Sequence, residues 1–305
     1  MTIARALGRD RGTLLAAAAV LSMAAACAVL PIVSGHAYDT QDLAATFQGP
    51  SRVHWLGTDQ YGRDIATRLA YGGRISFLVS GTAVTVHTLV GVGTGTVAGF
   101  AGGPVDGALM RVTDVFLAFP DILFLILITG LLGPSIPTII LALSFVGWAG
   151  MARQVRAEAL GLRGREFIAA AQALGATPGR IVTRHVLANI TTIALVRASL
   201  DIGPVVLAEA TLSFLGIGIQ PPMPSWGVMI AEGLPYLRAY PLLAITPSVV
   251  LCAAVLSLMF VGEGFAQVLD PRWRTAALAR PRARRPPPIP QAAPRGATMA
   301  SEPRS

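Results

Sequence analysis

The chain has 305 residues, of which 53% are hydrophobic and 13% charged, with a mean hydropathy of +0.61. Soluble domains carry about 25% charged residues, so this composition excludes an ordinary soluble protein and extensive disorder, and it indicates a polytopic membrane protein. All 24 Lys+Arg positions are arginine, which excludes a P-loop, a Schiff-base lysine and a kinase-type lysine; any ATP that drives this protein sits on another chain.

In chain order, residues 1–12 are a basic segment and Thr13–Val33 is a charge-free first span. Its 21 residues exceed the roughly 7–15 of a cleaved signal core, so it is expected to stay uncleaved. The segment Ser34–Gly73 is an outer loop, expected to be solvated and held by local contacts of Asp59 or Asp64 with Arg63 or Arg68. A second span is expected over 75–100, rich in Gly and Thr as helix-contact faces in membranes tend to be. The stretch from Asp121 to Arg153 is uncharged and too long for one helix, so a third span is placed at 111–131, kinked at Pro120, and a fourth at 135–151.

Residues 153–189 form a polar inner segment. Val155–Leu174 has good helix propensity, Gly175 is a helix stop, and Thr177-Pro178 reads as an N-cap followed by Pro at the first helical position. The expected unit is helix, tight turn, helix, with Ala169-Ala170-Ala171 as a bare face that either packs internally or admits another protein. The fifth span, 186–208, contains Arg197 and Asp201, four apart and able to pair. The outer loop Gly216–Tyr240 is stiffened by Pro221, Pro222 and Pro224, with Trp226 as an interface anchor or part of a vestibule. The sixth span is 239–262, so the membrane domain covers 13–270. Residues 271–305, rich in Pro and Arg, are expected to be a disordered tail, and because they carry much of the net charge of +8 no nucleic-acid binding follows from it.

Six spans with the N-terminus inside leave 18 arginines on the inner side and five on the outer, with Arg197 within a span. This obeys the positive-inside rule and puts both termini in the cytoplasm. The two cysteines, Cys27 and Cys252, form no C-x-x-C. The four histidines are scattered, with no H-E-x-x-H, and no G-x-S-x-G occurs. No catalytic, cofactor or metal residue is therefore assigned. Three functions fit an all-α six-span protein: a solute-translocating subunit without chemistry, a proton-coupled transporter using Asp114, Asp121, Asp201 and Glu209, or a channel-forming or structural subunit.

Four sequence blocks then favour the first. The inner Ala169-Ala170-Ala171-Gln172-Ala173-Leu174-Gly175 resembles the E-A-A…G loop of membrane subunits of ATP-binding-cassette importers, with Ala169 in place of Glu and Leu187-Ala188 where Leu-Pro is usual. LGTDQYGRD (Leu56–Asp64) with RISF, EATLSFLGIGIQPPMPSWG (Glu209–Gly227) and LDPRW (Leu269–Trp273) are similar to blocks of the peptide/nickel branch, in the same order. Leu258–Glu263 departs from the usual wording of the sixth span. The closest resemblance is to the C-type permease of dipeptide and oligopeptide importers in the bacterial plasma membrane.

The resemblance implies a type I importer fold, a heterodimer with a homologous B-type permease, ABC ATPase subunits carrying the ATP and Mg, and an extracytoplasmic peptide-binding protein. No cofactor is implied in this chain, and nickel or another small solute is the alternative cargo. It further implies an ATPase-coupling helix built on Glu166, Ala169, Ala170, Ala171, Gly175 and Ala176. The outer-loop motif residues are Gly57, Thr58, Asp59, Gly62, Arg63, Asp64, Pro221, Pro222, Pro224, Ser225, Trp226 and Gly227. Deleting the tail after Arg274 is expected to leave transport near normal in an uptake assay; a large loss would assign the tail a role.

Overall fold

The computed structural model describes residues 11–269. The expectations for 1–10 and for the tail fall outside the described residues, as does most of the Leu269–Trp273 block. Among the described residues the architecture is helical, with one isolated bridge between Thr58 and Asp64. The helices are α1 (Arg11–Val33), α2 (Ile65–Ala101), α3 (Gly103–Ala118), α4 (Asp121–Leu132), α5 (Ile136–Arg163), α6 (Glu166–Ala173), α7 (Pro178–Ile181), α8 (Leu187–Phe214), α9 (Trp226–Gly233) and α10 (Leu242–Leu269). Helices α1, α2, α5, α7–α8 taken together, and α10 are each long and apolar enough to cross a membrane.

Several expected boundaries are corrected. Helix α2 begins at Ile65, ten residues before the expected second span, because Asp64 caps it by accepting the Thr67 N–H at 2.7 Å. Its 37 residues make it about 55 Å long at 1.5 Å per residue, well beyond the roughly 30 Å hydrocarbon core. The expected third span is two helices, α3 and α4, bent by 90°. Phe119 is extended because the residue before a proline is driven from the α region, and Pro120 has no N–H with which to continue α3. Helix α5 runs past the expected end of the fourth span to Arg163, so the single helix expected over Val155–Leu174 is broken at Gly164-Arg165. Helices α8 and α10 extend to Phe214 and Leu269, beyond the expected ends of the fifth and sixth spans.

The most extensive helix pairing is between α2 and α5. Gly91, Gly95 and Gly99 lie four apart on one face of α2. A Cβ at Gly91 would meet Met151 Cβ at 2.6 Å, one at Gly95 would meet the Ala152 carbonyl and Val155, and one at Gly99 would meet Ala159 Cβ at 2.6 Å. Small residues at this spacing let two backbones approach closely, which is how helices associate where lipid removes the hydrophobic driving force between them. Helix α3 is tied to α5 by Arg156, whose Nε and Nη2 donate to Asp106 at 2.5 and 2.7 Å, and by Arg153–Asp114 at 2.7 Å.

Helix α1 packs on α2 and α10 and leaves much apolar surface outward, including Leu15, Leu21 and Ile32. Pro31 lies inside it, so the Cys27 carbonyl four residues earlier lacks its helical donor. Arg74 Nε supplies one at 2.6 Å, and Nη2 donates to the Ala28 carbonyl at 2.7 Å. An arginine 43 positions away thus supplies the donor that the proline removes.

Gly95→Leu is expected to weaken the fold by more than the 1–3 kcal/mol typical of overpacking, because backbone as well as side chain stands in the way. A thermal melt of the purified chain in detergent checks this; an unchanged melting temperature would show that α2 and α5 do not approach as described.

Candidate functional site

Two regions concentrate the sequence motifs. They lie at opposite ends of α2, one around α9 and the other around α6.

At the α9 end, the loop before α2 is folded around Asp59, and the expectation of a solvated loop is corrected. Asp59, Arg63 and Arg68 are each 3% exposed or less. Asp59 Oδ1 accepts the backbone N–H groups of Tyr61 and Arg63 at 2.9 and 3.0 Å, an Asx-type turn. Asp59 Oδ2 accepts Arg63 Nε and an Arg68 Nη1–H, both at 2.6 Å. Glu232 of α9 completes the cluster, with its Oε2 3.1 Å from Arg63 Nη2 and 2.8 Å from Arg68 Nη1. Asp64 pairs with neither arginine; its Oδ2 lies 3.0 Å from His54 Nδ1.

The other motif residues shape the same turn. Gly57 and Gly62 have φ of +82° and +72°, and a Cβ on Gly62 would strike the Asp42 carbonyl. Thr58 Oγ1 donates to the Ala45 carbonyl and accepts the Gln48 N–H at 2.9 Å. The block LGTDQYGRD therefore builds a buried knot.

The second outer block closes on the first. Trp226 is 1% exposed, so it is neither an interface anchor nor part of a vestibule. Its Nε1–H donates to the Leu69 carbonyl of α2 at 3.1 Å, and its ring meets Phe77 edge-on. Ser225 caps α9 by accepting the Val228 N–H at 3.3 Å, and Gly227 admits the Ala210 backbone of α8 where a Cβ could not fit. Glu209, fully buried, accepts hydrogen bonds from Ser76 at 2.7 Å and Ser213 at 2.8 Å. Pro221, Pro222 and Pro224 lie in the connection between α8 and α9. Glu232 belongs to none of the sequence motifs; a lone acid in an apolar helix, W-G-V-M-I-A-E-G, is its only sequence signal.

At the other end, α5 hands over to α6 through Gly164 and the extended Arg165. Glu166 stands in the first turn of α6, where its charge complements the helix dipole. The helix ends in a Schellman motif. The Ala176 N–H reaches the Ala171 carbonyl at 3.0 Å, the Gly175 N–H reaches Gln172 at 2.9 Å, and Gly175 has φ of +80°. Thr177 then stands in the N-cap position before Pro178, although its side chain does not cap. The chain continues through α7 and a π-helical turn, Val182–Val186, into α8.

One side chain fastens α6. Ile168 is fully buried with Met151, Val155 and Ala159 of α5 and Ile181, Val186 and Ile190 beyond. Ala171 and Ala176 pack partly against this cluster, whereas Glu166, Ala169, Ala170 and Gly175 are exposed. The alanine run is therefore split, with Ala171 packed against the cluster and Ala169 and Ala170 exposed. Phe167 is 42% and Leu174 89% exposed. With Ala170 they stand at i, i+3 and i+7, an apolar stripe along one face of α6 that ends on its C-cap residue, Leu174. Phe167 and Leu174 were not singled out from the sequence, because the family pattern directs attention to small residues.

Of the acids considered for a proton relay, Asp121 stands in the first turn of α4 and the other three are each held by a different set of partners. Asp114 is with Arg153, Asp201 pairs with Arg197 at 2.9 Å and lies 3.4 Å from His87 Nε2, and Glu209 is held by two serines.

Ile168→Ala is expected to cost about 2–5 kcal/mol, as for large-to-small core changes, and to loosen α6 locally. Hydrogen exchange over 164–176 checks this, with unchanged protection as the contrary result. Arg68→Ala, which leaves Asp59 and Glu232 short of a buried partner, is expected to cost about 3–5 kcal/mol. A detergent melt reads it, and a loss below about 1 kcal/mol, the scale of an exposed pair, would show that the cluster is solvated.

Comparison with known proteins agrees with this architecture. The family model for "Binding-protein-dependent transport system inner membrane component" matches residues 91–275. The oligopeptide transport system permease protein OppC of Bacillus subtilis is 38% identical over 244 residues, 80% of each chain. The dipeptide transport system permease protein DppC of Alkalihalophilus pseudofirmus is 38% identical over 80% of this chain and 81% of its own. OppC of Escherichia coli K12 is also 38% identical, over 80% and 82%. Among solved structures, a chain of the MetNI methionine ABC transporter in an inward-facing conformation matches with a TM-score of 0.52 at 19% identity. The match covers 66% of this chain and 96% of that one, and it establishes the shared fold. This chain belongs to the family of binding-protein-dependent transport system inner membrane components, and it is an all-α polytopic permease subunit.

Proposed function

We propose that this chain is a permease subunit of an ATP-driven peptide importer in a bacterial plasma membrane, with both termini cytoplasmic, and that it performs no chemistry of its own. In this reading it pairs with a homologous permease to enclose the pathway, ATPase subunits dock beneath it, and an extracytoplasmic binding protein delivers the peptide. Its relatives named as oligopeptide and dipeptide permeases support the cargo.

The observation that carries the proposal is α6. It is a short helix pinned by Ile168 and ended by the Gly175 turn, and it presents Phe167, Ala170 and Leu174 outward. An isolated helix of eight residues is marginal in water, so its burial on α5 and α8 is what preforms the surface. Such a surface suits a groove on an ATPase subunit. Closure of the ATPase pair would push α6, and because α6 shares a packed cluster with α5 and the start of α8, those helices would move as a rigid body. The absence of lysine agrees with ATP hydrolysis on a partner chain.

Leu174→Glu is the cleanest test, since a side chain this exposed has little internal contact to lose. Gly175→Glu would add strain at a positive φ to any loss of docking. We expect Leu174→Glu to reach the membrane and melt like the wild type. Co-purification with the ATPase and ATP-dependent peptide uptake should each fall by more than about 30-fold, the loss of one interface anchor of about 2 kcal/mol. Unchanged co-purification would remove α6 from the coupling role, and peptide uptake by the chain alone under a proton gradient would overturn the importer reading.

A further inference from the structure

The four histidines have no ligand spacing in sequence, yet the fold gathers two of them with an aspartate beside the knot around Asp59. His36 lies three residues beyond α1, His54 lies in the loop, and Asp64 caps α2. One ligating atom from each lies within 4.8 Å of the others. His54 Nδ1 is 3.0 Å from Asp64 Oδ2, and the two imidazole centroids are 5.1 Å apart. All three residues stand outside the apolar helices that could cross a membrane.

The groups are held in place. Asp64 is 4% exposed, and its Oδ1 is committed to the Thr67 N–H, which leaves Oδ2 facing His54. The His54 backbone N–H donates to Ser51 Oγ at 2.9 Å. Ser34 Oγ accepts from Thr67 Oγ1 at 2.9 Å and from the His36 backbone N–H at 3.4 Å, joining the His36 segment to the first turn of α2. His36 Nδ1 is buried and has no hydrogen-bond partner among the described residues. Buried polar atoms are nearly always paired, so an orphaned imidazole nitrogen beside a second imidazole and a carboxylate points to a ligand. A cavity of about 180 Å³ opens beside the group, lined by His36, Asp64, Ser34, Thr67 and the exposed Arg52.

We propose that His36, His54 and Asp64 bind a divalent transition-metal ion of the Zn²⁺ class, with water in the remaining position. Two imidazoles and one carboxylate suit Zn²⁺, Ni²⁺ or Cu²⁺, whereas Ca²⁺ and Mg²⁺ take oxygen ligands. Tetrahedral bonds of about 2.0–2.1 Å put ligand atoms roughly 3.3 Å apart, so the His54–Asp64 edge is already formed. His36, on a short segment between α1 and the loop, moves inward by up to about 1.5 Å to complete it. The bound ion fastens the end of α1 to the start of α2, beside the knot around Asp59. Asp64 serves both as helix cap and as metal ligand, with one oxygen for each task.

The test uses the full chain with any affinity tag removed, stripped with EDTA in detergent. It is titrated with Zn²⁺ by calorimetry and with Co²⁺ by visible absorption. We expect one saturable ion per chain, displaced by chelator. His36→Ala and His54→Ala should each weaken Zn²⁺ binding by more than about tenfold, the low end of what even outer-shell changes cost a metal site. His36→Gln, which keeps the residue polar and touches no helix, should do the same while its metal-free melt stays that of the wild type. No saturable Zn²⁺ binding, or binding unchanged in both His36 variants, would overturn the proposal.

Discussion

The close approach of α2 to α5 is the constraint on which the rest of the molecule depends. Helix α2 is long enough to emerge at both ends of the bundle, and the Gly91, Gly95 and Gly99 face lets α5 lie against its backbone. At its start, α2 carries Arg68, Leu69 and the Asp64 cap, so it is fixed to the knot around Asp59 and to α9 through Glu232 and Trp226. At its other end it lies beside the last turns of α5, which support Ile168 and hence α6. A single packed pair thus connects the two regions where the motifs concentrate.

The two regions differ in how they are held, and the difference suits the roles proposed for them. The knot around Asp59 is charged and buried, a combination that stabilises only while every partner is present and that specifies one arrangement of the loop. The α6 region is held by apolar contacts on one side and is bare on the other. The first arrangement resists deformation; the second leaves a surface for a partner while keeping the helix formed. In the proposed reading, a permease that rocks as rigid bodies uses both properties.

Much of this was legible in sequence where the signal was local. The Arg197–Asp201 pair, the Gly175 stop and the Pro178 restart depend on neighbours along the chain, and each is found as expected. Legibility failed where the cause is distant. Trp226 reads as a membrane-surface residue until the Leu69 carbonyl is placed beside it, and Glu232 has no visible purpose until Arg63 and Arg68 arrive from 169 and 164 positions away. Their Gly and Arg content makes residues 65–73 read as solvated loop, yet Arg68 is buried in the charged knot and the neighbouring Arg74 answers the proline of α1. The expected third span failed differently. Pro120 alone implies a kink, but the extended Phe119 before it turns the chain through a right angle.

The central claim is that the outward face of α6 is a cytoplasmic docking surface for an ATPase subunit. The most direct measurement is thiol labelling of Ala170→Cys, in a Cys252→Ser background with Cys27 buried, using a membrane-impermeant maleimide. The account predicts labelling in inside-out vesicles that contain the permease alone, none in right-side-out vesicles, and protection when the ATPase subunit is co-expressed. Labelling from the outer side, or equal labelling with and without the ATPase, would contradict it.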